Sequence, residues 1–378
     1  MTPARPRILF IFGTRPEIIK LAPVISQTEQ EADFKPVLLH TGQHKELADE
    51  MLSIFGLSPN FNLSVMSENQ SLFSLSSKIL DRFGEIFSRD TFDLIVVQGD
   101  TTSAFLGALA GYYNKIPVAH VEAGLRTMDK FNPFPEEMNR RLVGNLCDLH
   151  FPPTETSRQN LLREGIPPEK ITVTGNTVID ALFHALEIPH NPPKDLSEIY
   201  SNPLTKLILV TTHRRENFGD PHRRVFQALL KIVKAAPEAK ILFPVHPNPN
   251  VRSQVAAMLD HHPQIHLSAP LGYLDFLHAM KNSFVILSDS GGVQEEAPSL
   301  KKPVLVLRDQ TERPEGIKSG CLKLVGTDEE KIFQETEDLF KNPTAYDRMT
   351  RNPNPYGDGK ASERILTAIR NFLGNQRR

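Results

Sequence analysis

The side chains best suited to chemistry stand in short polar clusters, each directly behind an apolar run. Ser288-Asp289-Ser290-Gly291-Gly292-Val293-Gln294-Glu295-Glu296 follows Phe284-Val285-Ile286-Leu287 and reads as a turn between a buried strand and a short helix. Its two glycines let the backbone approach a ligand closely, and the N–H groups of a helix start favour phosphate. Glu296, about one turn in, could accept two ribose hydroxyls. Taken alone, Ser-Gly-Gly is more readily a tight turn with an N-terminal cap. Other clusters add cations. Arg15 and Lys20, in Gly13-Thr14-Arg15-Pro16-Glu17-Ile18-Ile19-Lys20, could neutralise a diphosphate, although such charges at a helix start are commonly solvated. His213, in Thr211-Thr212-His213-Arg214-Arg215-Glu216-Asn217, could hydrogen-bond or protonate a departing phosphate. Arg313 adds another cation, His246 ends a strand, and Phe276 could stack on a base or fill core.

Three carboxylates occupy comparable places. Asp100 stands just past Leu94-Ile95-Val96-Val97, where it could instead cap a helix beside Ser103. Glu122 closes the run before Ala123-Gly124, and a carboxylate at the end of a buried strand needs a partner. Glu136 opens a helix with acids first and arginines later, which the helix dipole alone would explain.

The elements that must position these residues alternate. Strands are expected at 7–12, 36–40, 94–98, 118–122, 149–152 and 171–175, with helical segments between them. Residues 188–204, with Pro189, Pro192, Pro193 and Pro203, read as a linker. The rhythm then restarts with strands at 206–211, 241–245, 264–268, 284–288, 303–307 and 322–325. Such repetition predicts α/β architecture with two doubly wound, Rossmann-like domains, and in such folds ligands bind beyond the carboxyl ends of the strands. The expected domains are 1–187, carrying the carboxylates, and 205–355, carrying the phosphate turn, with the two facing across a cleft. A last helix lies within 356–378.

Composition narrows the function further. The chain has 378 residues, 39% hydrophobic and 23% charged, and a net charge of −2, so a general nucleic-acid surface is not expected. Two separated cysteines, Cys147 and Cys321, argue against a disulfide framework or zinc site and fit a cytoplasmic protein. No apolar stretch reaches membrane-spanning length. The Gly-x-Gly-x-x-Gly fingerprint, the P-loop, His-Glu-x-x-His and Gly-x-Ser-x-Gly are all missing, so the expectation is nucleotide-sugar chemistry with no redox cofactor and no metal.

Gly13-Thr14-Arg15-Pro16-Glu17, Gly99-Asp100-Thr101-Thr102, His120-Val121-Glu122-Ala123-Gly124-Leu125-Arg126, Pro135-Glu136-Glu137, Thr174-Gly175-Asn176-Thr177, His213-Arg214-Arg215-Glu216-Asn217, Ser288-Asp289-Ser290-Gly291-Gly292 and Thr311-Glu312-Arg313-Pro314-Glu315 run in that order along the chain. This series resembles that of the non-hydrolysing UDP-N-acetylglucosamine 2-epimerases. The resemblance implies a glycosyltransferase-B-like fold, with the last helix crossing back to the first domain, and a cytoplasmic homodimer. It implies reversible interconversion of UDP-N-acetylglucosamine and UDP-N-acetylmannosamine, supplying polysaccharide synthesis. By that resemblance Ser290, Gly291 and Gly292 hold the diphosphate, Glu296 the ribose and Phe276 the uracil. Arg15, His213 and Arg313 line the UDP site with Lys20 nearby, and Asp100, Glu122 and Glu136 are the acid–base carboxylates. Some bacterial members bind a second substrate molecule, for which Gln43, His44, Arg214 and His246 are the matching positions.

The chemistry fits this division. The C2 proton of a resting sugar is not acidic, and loss of UDP from C1 makes it removable. The intermediate would be 2-acetamidoglucal, and the proton must return to the opposite face, so one base on one face is insufficient unless the sugar turns over; several carboxylates around the ring satisfy the requirement. Epimerases of a related UDP sugar such as a diacetamido uronic acid, and hydrolysing epimerases, share these motifs. A glycosyltransferase of the same fold is a more distant alternative, and so is a non-catalytic nucleotide-sugar sensor.

Overall fold

The computed structural model describes residues 5–42, 45–66, 70–214 and 217–376. Twelve strands form two wholly parallel six-stranded sheets among these residues. The first holds β1 (Arg7–Phe12), β2 (Lys35–His40), β3 (Phe61–Asn62), β4 (Leu94–Gln98), β5 (Val118–Val121) and β6 (Leu149–Phe151), in the order β3-β2-β1-β4-β5-β6. The second holds β7 (Lys206–Thr211), β8 (Ala239–Pro244), β9 (Ile265–Ser268), β10 (Val285–Ser288), β11 (Val304–Val306) and β12 (Leu322–Leu324), in the order β9-β8-β7-β10-β11-β12. The winding is the same in both. Each reverses direction once, between β1 and β4 in the first sheet and between β7 and β10 in the second. At such a switch point the connections leave on opposite faces and open a crevice at the carboxyl ends.

Strands covered on both faces read as continuous apolar runs, and these do. Every residue from Ile8 to Phe12 and from Leu94 to Gln98 is buried. Leu9, Ile11, Ile95 and Val97 meet Ala104 and Ala108 of the helix Thr102–Tyr113 in the core of the first sheet. That helix lies close because it is small-residue rich: a Cβ on Gly107 would come within 3.0 Å of Ile11 Cδ1. Ile208, Val210, Ile241 and Phe243 pack with Phe226 and Leu229 in the second core. Each fully buried side chain of this size contributes about 1.5–3 kcal/mol.

The chain divides into two compact units, one of residues up to Ala185 together with those from Gly357 onward, the other Leu186–Tyr356. The final helix, Ala361–Gln376, packs on the helix Arg15–Gln30. Asp180 caps its start, accepting from Ala361 N at 3.2 Å and Ser362 N at 2.8 Å. Among the described residues no helix is long and apolar enough to cross a membrane.

Three expectations need correction. Residues 171–175 are not a strand; Ile171 makes one bridge to His150. The β-branched run Ile-Thr-Val-Thr suggested a strand, but Thr172 and Val173 face solvent, and among the described residues only the Thr172 and Thr174 amides reach β6 and the residue after it, donating to the His150 and Pro152 carbonyls. The two-residue β3, too short to show a period, was not among the expected strands and pairs with β2 at the opposite edge of the sheet. Residues 188–204 contain a helix, Lys194–Ser201, that buries Leu196 and Ile199. Pro193 is its N-cap, so a proline read as linker marks a helix start.

Candidate functional site

In the first unit the candidate side chains gather where the strand order reverses. Glu17, on the first turn behind β1, is fully enclosed. Its Oε2 accepts from Gly13 N at 3.0 Å, Thr14 N at 2.8 Å and Thr14 Oγ1 at 2.8 Å, while Oε1 accepts from Thr101 Oγ1 at 2.7 Å. The loops behind β1 and β4 are thereby joined through one carboxyl group. Burial pushes that group up to about 7 despite hydrogen bonds that favour its anion.

Glu122 follows β5 directly and has a φ of 64°. The left-handed region disfavours a residue with a Cβ by about 1–2 kcal/mol. The conformation turns the carboxylate into a nest of donors. Lys20 Nζ lies 2.6 and 2.7 Å from its two oxygens, Asn176 Nδ2 donates at 3.0 Å, and Gln98 Nε2 donates as well. Lys20, read from sequence as a counter-charge for a diphosphate, therefore makes an ion pair with Glu122. Asn176 belongs to a motif that had suggested no role, and Gln98 is the last residue of β4.

Asp100 does not cap the helix Thr102–Tyr113. Thr101 does, accepting from Ala104 N at 3.0 Å. The Asp100 carboxylate instead pairs with Arg140 Nη2 at 2.5 Å, and Asn139 Nδ2 donates to the Asp100 carbonyl at 2.9 Å. Glu136 is the first residue of the helix Glu136–Leu146 and is half-buried. Its neighbour Glu137 is fully enclosed. Burial alone would raise the Glu137 carboxyl, but the Thr127 amide, Arg140 and Arg141 outweigh it and hold the group below the usual carboxylate range. His120 is also enclosed; burial drives it down to about 3, so the neutral ring donates from Nε2 to the Gly99 carbonyl at 2.8 Å. Arg15 starts the helix behind β1 and is half-buried.

The second unit arranges its candidates around Asp289, the residue after β10. This fully enclosed carboxylate accepts from Thr212 Oγ1 at 3.1 Å, His213 N at 3.0 Å, Arg214 N at 2.9 Å and Asn217 Nδ2 at 3.0 Å. His213 Nδ1 lies 3.0 Å from its other oxygen. Burial works to raise the Asp289 carboxyl, and the His213 pairing with the two amides outweighs it and holds the group low. The sequence reading passed over Asp289 in favour of Ser290. A buried-strand residue followed by Asp, facing a His behind the neighbouring strand, was the available signal.

Ser290 is the N-cap of the helix Gly291–Glu296. A Cβ on Gly292 would lie 3.9 Å from Ser290 Oγ and 4.0 Å from Glu296 Oε2, so the turn and the Glu296 carboxylate share one small space. A Cβ on Gly291 would lie 3.4 Å from Arg313 Nη2. Arg313 in turn pairs through Nε with Glu295 at 2.7 Å. His246 is exposed and its ring stacks on His213, with centroids 6.1 Å apart. Phe276 sits half-buried on the helix Tyr273–Asn282. Gln43 and His44 lie outside the described residues, as do Arg215 and Glu216.

Two Rossmann-like units, one collecting carboxylates at its switch point and the other a His, an Arg and a glycine turn, define an α/β protein with polar clusters behind the strands of both sheets. Comparison with known proteins gives the family. The family model described as UDP-N-acetylglucosamine 2-epimerase matches residues 26–370. The UDP-N-acetylglucosamine 2-epimerase of Yersinia pestis is 47% identical over 370 residues, 97% of this chain and 98% of that one. A crystal structure of a UDP-N-acetylglucosamine 2-epimerase from Listeria monocytogenes, putative by its own description, superposes with a TM-score of 0.93 at 43% identity, covering 98% of both chains. The enzyme from Neisseria meningitidis, solved bound to UDP-GlcNAc, superposes with a TM-score of 0.84 at 42% identity, covering 96% of this chain and 99% of that one. The chain belongs to the UDP-N-acetylglucosamine 2-epimerase family, with its glycosyltransferase-B-like fold, and is an isomerase.

Proposed function

We propose that this enzyme interconverts UDP-N-acetylglucosamine and UDP-N-acetylmannosamine without hydrolysis. UDP leaves C1 and a proton leaves C2, giving 2-acetamidoglucal. UDP then adds back to C1 while a proton enters the opposite face of C2. Ser290, Gly291 and Gly292 hold the diphosphate in this reading, Glu296 the ribose and Phe276 the uracil. Arg15, His213 and Arg313 line the UDP site, and Asp100, Glu122 and Glu136 exchange protons with the sugar. Lys20 takes a different part from the one its sequence position suggested: it orients the Glu122 carboxylate.

The observation that carries the reading is Glu122. Its backbone is strained, its carboxylate is buried, and an ammonium and two amides fix it. Strain of this kind persists where a site requires it. The neisserial relative bound to UDP-GlcNAc supports the choice of substrate. Incubation with UDP-N-acetylglucosamine in deuterated water, followed by NMR, tests it. Deuterium should enter C2 while UDP stays attached; release of free UDP and free sugar would instead make the enzyme a hydrolase.

Three finer points belong to the same proposal. A second substrate molecule binds beside Arg214 and His246, and hyperbolic kinetics in both directions would exclude it. The enzyme works in the cytoplasm, which suits two free, buried thiols. It is a homodimer, which exposed Tyr112, Tyr113, Met138 and Leu142 on two neighbouring helices suit; a monomer in sedimentation velocity would remove that point.

A further inference from the structure

The geometry points to Asp289 as a positioning residue for His213: its buried carboxylate takes the ring Nδ1–H and leaves Nε2 as the atom that meets the departing diphosphate. The inference rests on the proposed role of His213 toward the leaving group.

Four donors converge on Asp289: Thr212, the His213 and Arg214 amides and Asn217 satisfy a buried carboxylate and fix the loop behind β7. The His213 ring adds nothing the loop needs, because the His213 backbone is already held; its Nδ1 stands 3.0 Å from the second carboxylate oxygen. The consequence of that approach is chemical. An ionised carboxylate only accepts, so the proton on a neutral His213 ring must sit on Nδ1. Nε2 is then bare. When the ring takes a second proton, that proton goes to Nε2, with the Asp289 carboxylate facing Nδ1–H on the other side of the ring. The logic is that of an aspartate orienting a catalytic histidine. His246, stacked at 25° to the His213 ring, restrains it from turning over.

Electrons and protons balance in both directions. As the C1–O bond breaks, its electron pair stays on the diphosphate oxygen, and Nε2–H of the imidazolium donates to that oxygen. As UDP adds back, the oxygen attacks C1 and the proton returns to Nε2. No further reactant is needed.

The test is nitrogen NMR on the whole enzyme with 15N-labelled histidine. The chain has 13 histidines, and the His213 signal is the one lost in His213→Gln. Where the ring is neutral, the wild-type signal should show Nδ1 protonated and Nε2 bare. In Asp289→Asn the ring should shift toward the Nε2–H form and kcat should fall by about 10²–10⁴-fold, with UDP affinity nearly kept. An Nε2–H ring in the wild type overturns the inference, and that measurement decides even if Asp289→Asn fails to fold. A folded Asp289→Asn with near-normal kcat also overturns it. His213→Gln separates the underlying reading. If His213→Gln turns over normally, the leaving-group role is wrong and the pairing has no catalytic meaning. If it is inactive while the wild-type ring carries Nε2–H, only the Asp289 role fails.

Discussion

Glu122 and Asp100 are both ion-paired, yet they are held differently. Glu122 is fixed by three neighbours and a left-handed backbone, whereas Asp100 is held by Arg140 and stays a quarter exposed, at 27%. A proton-transfer group must be oriented before the transition state forms, and removing one typically costs about 10²–10⁴-fold in rate. Glu122→Gln and Asp100→Asn should each lower kcat by that order while leaving UDP affinity close to wild type. Normal turnover in both would sink the assignment. Glu17 makes a different prediction. Its carboxyl is raised from 4.5 to about 7 in the fold, so the folded state holds the proton more tightly than the unfolded chain. The stabilising contribution is complete below about 4.5 and is lost as pH rises through about 7. The shift corresponds to about 3 kcal/mol at most. Glu17→Gln keeps an acceptor for Gly13 and Thr14 and turns an amide toward Thr101, whose hydroxyl can accept. Melting curves from pH 5 to 8 should therefore show the wild type losing stability relative to this variant. Parallel curves would show that Glu17 is ionised throughout.

At the scale of strands and helices, much was legible because the physics is local. Buried parallel strands leave continuous apolar runs, and the polar residues behind them mark the carboxyl ends. Gly13, Asp100, Glu122, His213 and Ser290 were placed on that basis. Their partners could not be read the same way. Lys20 and Glu122 are 102 residues apart, and His213 and Asp289 are 76 apart; only the winding of the sheets brings each pair together. The helix Lys194–Ser201 was hidden for the opposite reason, since its flanking prolines look like loop in any short window. The phosphate turn offers a test at this scale. Alanine at Gly291 should leave the short helix as stable as before or more so, because glycine is the poorer helix former. Its Cβ would stand in contact with Arg313 Nη2, at 3.4 Å, and take up space between the guanidinium and the turn where the proposed diphosphate meets both. UDP affinity should fall by about tenfold, equivalent to roughly 1.4 kcal/mol, with an unchanged or higher melting temperature. Unaltered UDP binding, read by calorimetry, would place the diphosphate elsewhere.

Over the whole molecule, one winding pattern is used twice, with a separate core in each unit. The chain enters the second unit at Leu186 and returns to the first at Gly357. The two carry different chemistry, with carboxylates behind β4 and β5 in one and the glycine turn with His213 behind β7 and β10 in the other. A ligand stabilises only the conformations it binds, by about 2.7 kcal/mol at a hundredfold excess over Kd. Hydrogen exchange with UDP and with UDP-N-acetylglucosamine can therefore read the proposed division of labour. UDP alone should protect amides around 212–214, 289–296 and 311–313. The sugar nucleotide should protect these and also 99–101 and 122–124, where slowed exchange would report the hexose meeting Asp100 and Glu122. If UDP alone protected the carboxylate loops as strongly as the full substrate, the leaving group and the sugar would not be divided between the units as proposed. If neither ligand slowed exchange at 289–296, the glycine turn would lose its assigned role while the family and fold stood unchanged.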